Sequence, residues 1–139
     1  MKIMLVGKTG SGKTTLTQIL NNQKVEYKKT QMVDYIGKII DTPGEYLENK
    51  VYYKALNVVS IDADIIILIQ SATDEENLYP PNFASMFLGK KVLGAITKID
   101  LEENCKDAEK ILENAGVEKI FPLDLKSLKG VECLKTFLR

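Results

Sequence analysis

The chain contains no histidine and no tryptophan, and its only arginine is Arg139. Without histidine, imidazole acid/base catalysis, Ser/His/Asp or Cys/His nucleophilic sites and imidazole-based zinc centres are excluded. Cysteine is scarce as well: Cys105 and Cys133 form no C-x-x-C pair, so neither a redox motif nor a disulfide framework is indicated. Charge of one sign is not in excess, since 19 Lys+Arg balance 19 Asp+Glu, which removes the simplest argument for a nucleic-acid partner. The longest aliphatic run, 65–69, falls far short of the roughly 20 residues that span a bilayer. Met1-Lys2 leads directly into Ile3 with no secretory leader pattern. The expectation is a cytoplasmic protein with no membrane and no nucleic-acid partner. At 139 residues and 45% hydrophobic, it is expected to form one domain over 1–139 with a sufficient core.

What is present alternates between two kinds of segment. Residues 3–6, 65–69 and 92–96 are short apolar runs, as expected of parallel strands covered on both faces. Between them apolar residues recur at helical spacing: Leu16, Ile19 and Leu20; Tyr52, Ala55, Leu56 and Val59; Ala108, Ile111, Leu112 and Ala115; Val131, Leu134 and Leu138. This alternation predicts an α/β fold with a doubly wound sheet. Residues 31–35 and 38–41 flank Ile36-Gly37, which reads as a tight hairpin that adds one antiparallel edge strand. A short helix is expected over 83–88, after Pro80-Pro81. Asn104 is the expected N-cap and Gly116 the stop of the helix that ends near Ala115.

Directly after the first apolar run stands Gly7-Lys8-Thr9-Gly10-Ser11-Gly12-Lys13-Thr14, a complete G-x-x-x-x-G-K-[ST] motif. Average residue frequencies would produce it by chance in about one chain in two hundred. Glycines let the backbone curl so that successive N–H groups face phosphate oxygens, and the following helix N-terminus adds positive field. Lys13 then reaches the β and γ phosphates and the Thr14 hydroxyl coordinates Mg²⁺. Residues Gly7, Lys8, Thr9, Gly10, Ser11, Gly12, Lys13, Thr14 and Thr15 form the expected phosphate-binding set.

Asp41-Thr42-Pro43-Gly44 ends the third strand, where a carboxylate can hold Mg²⁺ and Gly44 can offer its N–H to a γ-phosphate. D-x-x-G alone carries little information; its place after the glycine-rich loop is what counts. Thr97-Lys98-Ile99-Asp100 closes the strand that begins at Val92. The Asp100 carboxylate matches the paired N–H donors of guanine, which adenine lacks, and the Lys98 stem can lie along a purine face.

These motifs, in this order, resemble the small P-loop GTPases. The chain is more closely similar to the ethanolamine-utilisation EutP family and its propanediol-utilisation relative PduV. That resemblance runs through Y-K-K-T-Q at 27–31, I-D-T-P-G-E-Y-L-E-N at 40–49, P-P-N-F-A-S-M-F at 80–87 and A-G-V-E-K-I-F at 115–121. It implies a Ras-like P-loop NTPase fold with a mostly parallel six-stranded sheet, Mg²⁺ with GTP or GDP as cofactor, and a bacterial protein tied to a metabolic microcompartment. The partners it implies are a guanine nucleotide and a shell or enzyme component, and a homo-oligomer is left open. Departures from the wider pattern are Thr97 in place of Asn, Glu45 in place of the water-orienting Gln, and Asp124-Leu125-Lys126 where Ser-Ala-Lys is usual. Leu125 and Lys126 complete the expected nucleotide site, Thr30 is the candidate switch ligand of Mg²⁺, and Lys13, Gly44 and Glu45 are the candidate catalytic residues.

Lys24, Lys28 and Lys29 read as a solvated loop, Asp62 and Asp64 as a turn, and one or two of Tyr46, Tyr52 and Tyr53 as packing beneath the switch region. Three functions are open. The first is a GTPase, slow because no arginine precedes Arg139 to stabilise the transition state. The second is a P-loop kinase acting on a short carboxylate such as acetate, and the third a nucleotide-binding adaptor without turnover.

Overall fold

In the computed structural model, which describes residues 1–22 and 32–139, β1 and β4 are buried along their whole lengths. Strands with no exposed face must be covered by helices on both sides. In chain order the elements are β1 (Ile3–Gly7), α1 (Lys13–Leu20), β2 (Asp34–Ile36), β3 (Ile39–Asp41), α2 (Glu45–Glu48), α3 (Tyr53–Ser60), β4 (Ile65–Ser71), β5 (Lys91–Thr97), α4 (Lys106–Ala115), β6 (Ile120–Pro122) and α5 (Val131–Leu138).

Alternation along the strands divides the interior into two cores. Met4, Val6, Ile66 and Leu68 join Leu56 of α3 and Leu112 of α4 on one face. Ile3, Leu5, Ile65 and Ile67 join Leu16 of α1 and Leu134 of α5 on the other. The faces expected of α4 and α5 are the buried ones, including Ala108, Ile111 and Ala115 and Val131 and Leu138. Of the positions expected around α3 only Leu56 is fully buried, with Tyr52, Ala55 and Val59 half-buried, as is Leu20 of α1. Gly94 of β5 makes room for α4, because a Cβ there would stand 3.0 Å from a Leu112 methyl.

The sheet has six strands in the order β2-β3-β1-β4-β5-β6, all neighbours parallel except β2 and β3. The expected mostly parallel, doubly wound sheet with one antiparallel edge strand is therefore the observed one. Strand order reverses beside β1, and the crevice beyond the C-terminal ends of strands at such a reversal is where ligands of open α/β sheets bind. All three sequence motifs follow the C-terminal ends of β1, β3 and β5.

Three local expectations shift. The hairpin turn sits at Gly37-Lys38 rather than Ile36-Gly37, because Ile36 pairs with Ile39. Gly37 takes φ +59°, and the Asn21 side chain packs against it while Asn21 Nδ2 donates to the Ile36 carbonyl at 2.9 Å. Over 83–88 only a 3₁₀ turn forms, Phe83–Met86, bounded by left-handed Asn82 and Gly89. Its Phe83 ring meets Tyr53, Tyr79 and Phe87 edge-on. Cys105, not Asn104, holds the N-cap position of α4, although Asn104 Oδ1 accepts the Lys106 N–H at 3.1 Å. Gly116 stops that helix at φ +94° as expected. Asp62 lies in a turn and accepts from the Tyr35 hydroxyl, and Tyr46 stacks on Tyr52 with ring centroids 5.0 Å apart. Thr30, Lys24, Lys28, Lys29 and Gln31 lie outside the described residues.

Candidate functional site

The glycine-rich loop leaves the middle of the sheet and enters α1 through two left-handed residues, Gly10 at φ +82° and Gly12 at φ +103°. A residue with a Cβ is strained there, which is the local reason for glycine at both positions. Gly7 meets a different demand, since a Cβ would lie 2.7 Å from Ser11 Oγ and 3.1 Å from the Ile69 carbonyl. No side chain caps α1 and its first turn holds no acidic residue, so its N-terminal N–H groups and positive field face the crevice. Ser11 Oγ is buried without a hydrogen-bond partner among the described residues.

Lys13 is buried behind this loop, 5% exposed, and its Nζ donates to the Lys8 carbonyl at 3.1 Å. Burial pushes its pKa below the ordinary lysine value, and the Asp41 and Glu48 carboxylates offset part of that. Thr14 Oγ1 donates to Asp41 Oδ2 at 2.9 Å, which brings the hydroxyl opening α1 against the carboxylate ending β3. Thr42 Oγ1 donates to the Leu5 carbonyl at 2.7 Å and fixes the end of β3 to β1. A hydroxyl and a buried carboxylate side by side are hard oxygen donors of the kind Mg²⁺ accepts, so these residues fit that ion.

At the other end of the crevice, Thr97 is fully buried and its Oγ1 donates to the Ser11 carbonyl at 2.6 Å. Lys98, at φ +59°, reaches back so that its Nζ donates to the Gly10 carbonyl at 2.8 Å. The Asp100 carboxylate stands 3.9 Å from Lys126 Nζ. Leu125 closes over Gly12, where a Cβ would come within 3.2 Å of its methyl. Asp124 organises this turn, because its carboxylate accepts from the Lys126 and Ser127 N–H groups and from the Ser127 hydroxyl. The Ser127 hydroxyl and these amides hold its carboxyl below the usual range.

One cavity of about 580 Å³ joins the two ends, and its lining runs from Thr9, Lys13 and Gly44 to Asp100, Leu125 and Lys126. Gly10, Gly12, Thr14, Thr15, Thr97 and Lys98 also face it. Gly7 and Ser11 are buried beneath the loop instead. Lys8 turns away, its Nζ 3.1 Å from Asp74 and 2.9 Å from Glu76. Glu45 opens α2 with an exposed side chain and does not line the cavity.

Two site residues escape the sequence reading. Tyr79 is buried, and its hydroxyl donates to the carbonyls of Ile69 (2.7 Å) and Val6 (3.1 Å), so it staples β4 to β1 just before the glycine-rich loop. Burial pushes that phenol far above its ordinary pKa. Glu48 Oε2 accepts from the Thr9 N–H (3.2 Å) and the Thr9 hydroxyl (2.8 Å). Neither residue carries a local signal; the contacts exist only because the fold brings distant segments together.

Comparison with known proteins identifies the family and the fold. A family model described as ethanolamine utilisation – propanediol utilisation matches residues 1–139. The chain is 37% identical over 139 residues to the propanediol utilization protein PduV of Citrobacter freundii, which covers 99% of this chain and 92% of that relative. It is 32% identical over 140 residues to a protein of Escherichia coli K12 named probable acetate kinase EutP, covering 99% of this chain and 88% of that relative. Among solved structures, that of Methanosarcina barkeri Roco2 RocCORdC bound to GDP superposes with a TM-score of 0.69 at 19% identity. It covers 99% of this chain and 47% of that one, and the likeness shows a shared Ras-like fold.

Proposed function

The chain belongs to the ethanolamine utilisation – propanediol utilisation family, and on that premise we propose that it is a Mg²⁺-dependent guanine-nucleotide-binding protein and a slow GTPase of that metabolism. The observation that carries this reading is the single cavity that links Lys13 and Thr14 to Asp100 and Lys126. Its lining would place phosphates at the glycine-rich end and a base at the end lined by Asp100, Leu125 and Lys126.

Each residue then has a distinct task. N–H groups of the 7–14 loop and the α1 N-terminus bind phosphate oxygens, and Lys13 adds a buried positive charge. Thr14 and Asp41 would hold the metal, joined by Thr30; when bound, Mg²⁺ neutralises charge on the phosphate oxygens. Asp100 accepts two N–H groups of guanine, while Leu125 and the Lys98 stem wall the base pocket. Gly44 and Glu45 are the candidates for orienting the terminal phosphate and the attacking water. Hydrolysis is slow because no arginine precedes Arg139, so a partner, a second copy or a cation supplies the activating charge. Residues 1–139 act as one nucleotide-binding domain in the cytoplasm, and a microcompartment shell or enzyme component is the proposed partner.

The test is a titration with GDP, GTP, ADP and ATP in Mg²⁺. Guanine nucleotides are expected to bind at least about tenfold tighter, about 1.4 kcal/mol, and Asp100→Ala to level the difference. Equal affinity for adenine nucleotides in the unaltered protein overturns the reading.

One observation favours a second reading. The Thr9 N–H and hydroxyl already hold a carboxylate, that of Glu48, and relatives carry the name probable acetate kinase. Phosphoryl transfer to acetate in a coupled assay, abolished by Lys13→Ala, would replace hydrolysis as the activity.

A further inference from the structure

Helix α2 turns its last carboxylate back onto the glycine-rich loop. Both donors of Thr9, the backbone N–H and Oγ1, converge on one oxygen of Glu48, at 3.2 and 2.8 Å. Gly44, at the start of the same segment, lies so close that a Cβ would overlap the Thr9 backbone N and Oγ1. The negative charge of Glu48 also acts on the buried Lys13 ammonium. A backbone N–H, a hydroxyl and a nearby ammonium are the donor types that a phosphate oxygen recruits. Glu48 thus occupies an anion seat at the outer edge of the loop, beside the glycine read as facing the terminal phosphate.

We propose that the Glu48 carboxylate is an internal competitor for the terminal phosphate. It fills the Thr9 donors when no triphosphate is present, must leave when one binds, and so sets the preference between di- and triphosphate. The inference rests on the nucleotide reading above. Two anions cannot share the two Thr9 donors, and their mutual repulsion strengthens the exclusion. A triphosphate binds only the fraction of molecules with the seat open, so its apparent dissociation constant rises by the inverse of that fraction. A diphosphate, which leaves the outer seat alone, carries no such penalty. Gly44 and Glu48 leave together because four residues of one short helix join them.

The experiment compares the unaltered protein with Glu48→Gln and Glu48→Ala, by calorimetric titration of GDP and of a non-hydrolysable GTP analogue in Mg²⁺. Glu48 is exposed, and unchanged melting temperatures confirm that both variants fold. The expected result is an analogue affinity about tenfold tighter in Glu48→Ala, a smaller gain in Glu48→Gln, and GDP affinity unchanged. Equal gains for both ligands, or no gain for the analogue, overturn the inference while leaving guanine binding intact. Failure of all nucleotides to bind overturns the nucleotide reading itself. A ligand-free readout separates the two: the Thr9 amide should exchange with solvent faster in Glu48→Ala, and an unchanged rate shows that the contact is not formed in solution and overturns the competitor role.

Discussion

Thr97 donates its hydroxyl proton to the carbonyl of Ser11 at 2.6 Å, joining residues 86 apart in the chain. A residue expected to face a nucleotide base is therefore a brace for the glycine-rich loop. Both groups are buried, so Thr97→Val keeps the shape and leaves a buried carbonyl unsatisfied. The expected loss is about 1–3 kcal/mol of unfolding free energy, measured by chemical denaturation. Guanine and adenine nucleotides should weaken together, so an altered ratio of their affinities would show that the hydroxyl reads the base instead.

Tyr79→Phe removes the staple between the carbonyls of Val6 and Ile69 without changing the aromatic packing on Phe83. Stability should fall by about 1–3 kcal/mol. Because both carbonyls lie at the strand ends that flank the loop, nucleotide affinity should fall with it.

Lys8 and Asp74 predict a window of pH. Hydrogen bonds first to Glu76 and then to Asp74 hold the Lys8 ammonium above its ordinary pKa, so its contribution is present below about pH 10.4 and is lost as pH rises through the folded value. Burial raises the Asp74 carboxyl, but the Glu76 N–H and Lys8 lower it more. Its contribution is present above about pH 3.9 and is lost as pH falls through the folded value. The melting-temperature difference between the unaltered protein and Lys8→Met should be flat from about pH 5 to 9 and shrink at both extremes. A difference that peaks near pH 7 contradicts this pairing.

Gly44→Ala cannot keep the observed approach to Thr9, since its Cβ would overlap that residue's backbone. Amide exchange across 44–49 should accelerate while the core strands keep their protection. Exchange unchanged at Thr9 would show that the segment rests elsewhere in solution.

Legibility followed the range of the interaction. The glycine-rich loop was readable because its demands are local: left-handed backbone at Gly10 and Gly12 and an uncapped helix start. The central strands β1, β4 and β5 were readable because burial on both faces leaves continuous apolar runs, whereas the count of six strands came only with the family resemblance. The hairpin register shifted by one residue because the position of Gly37 depends on cross-strand pairing and on Asn21, neither of which its neighbours report. Glu48 and Tyr79 were invisible, as Glu48 meets Thr9 39 residues away and the Tyr79 hydroxyl meets Val6 73 residues away and Ile69 10 residues away. Asp124, an odd charge in sequence, proved to be the acceptor that shapes its own turn.

The bond from Thr97 to Ser11, together with that from Lys98 to Gly10, has a consequence for how the molecule comes into being. These two braces come from the end of β5, so during synthesis they stay unmade until β5 has emerged and docked beside β4. Long-range parallel pairing of this kind is slow to form. A ligand that binds the fully braced loop therefore stabilises the finished fold as a whole.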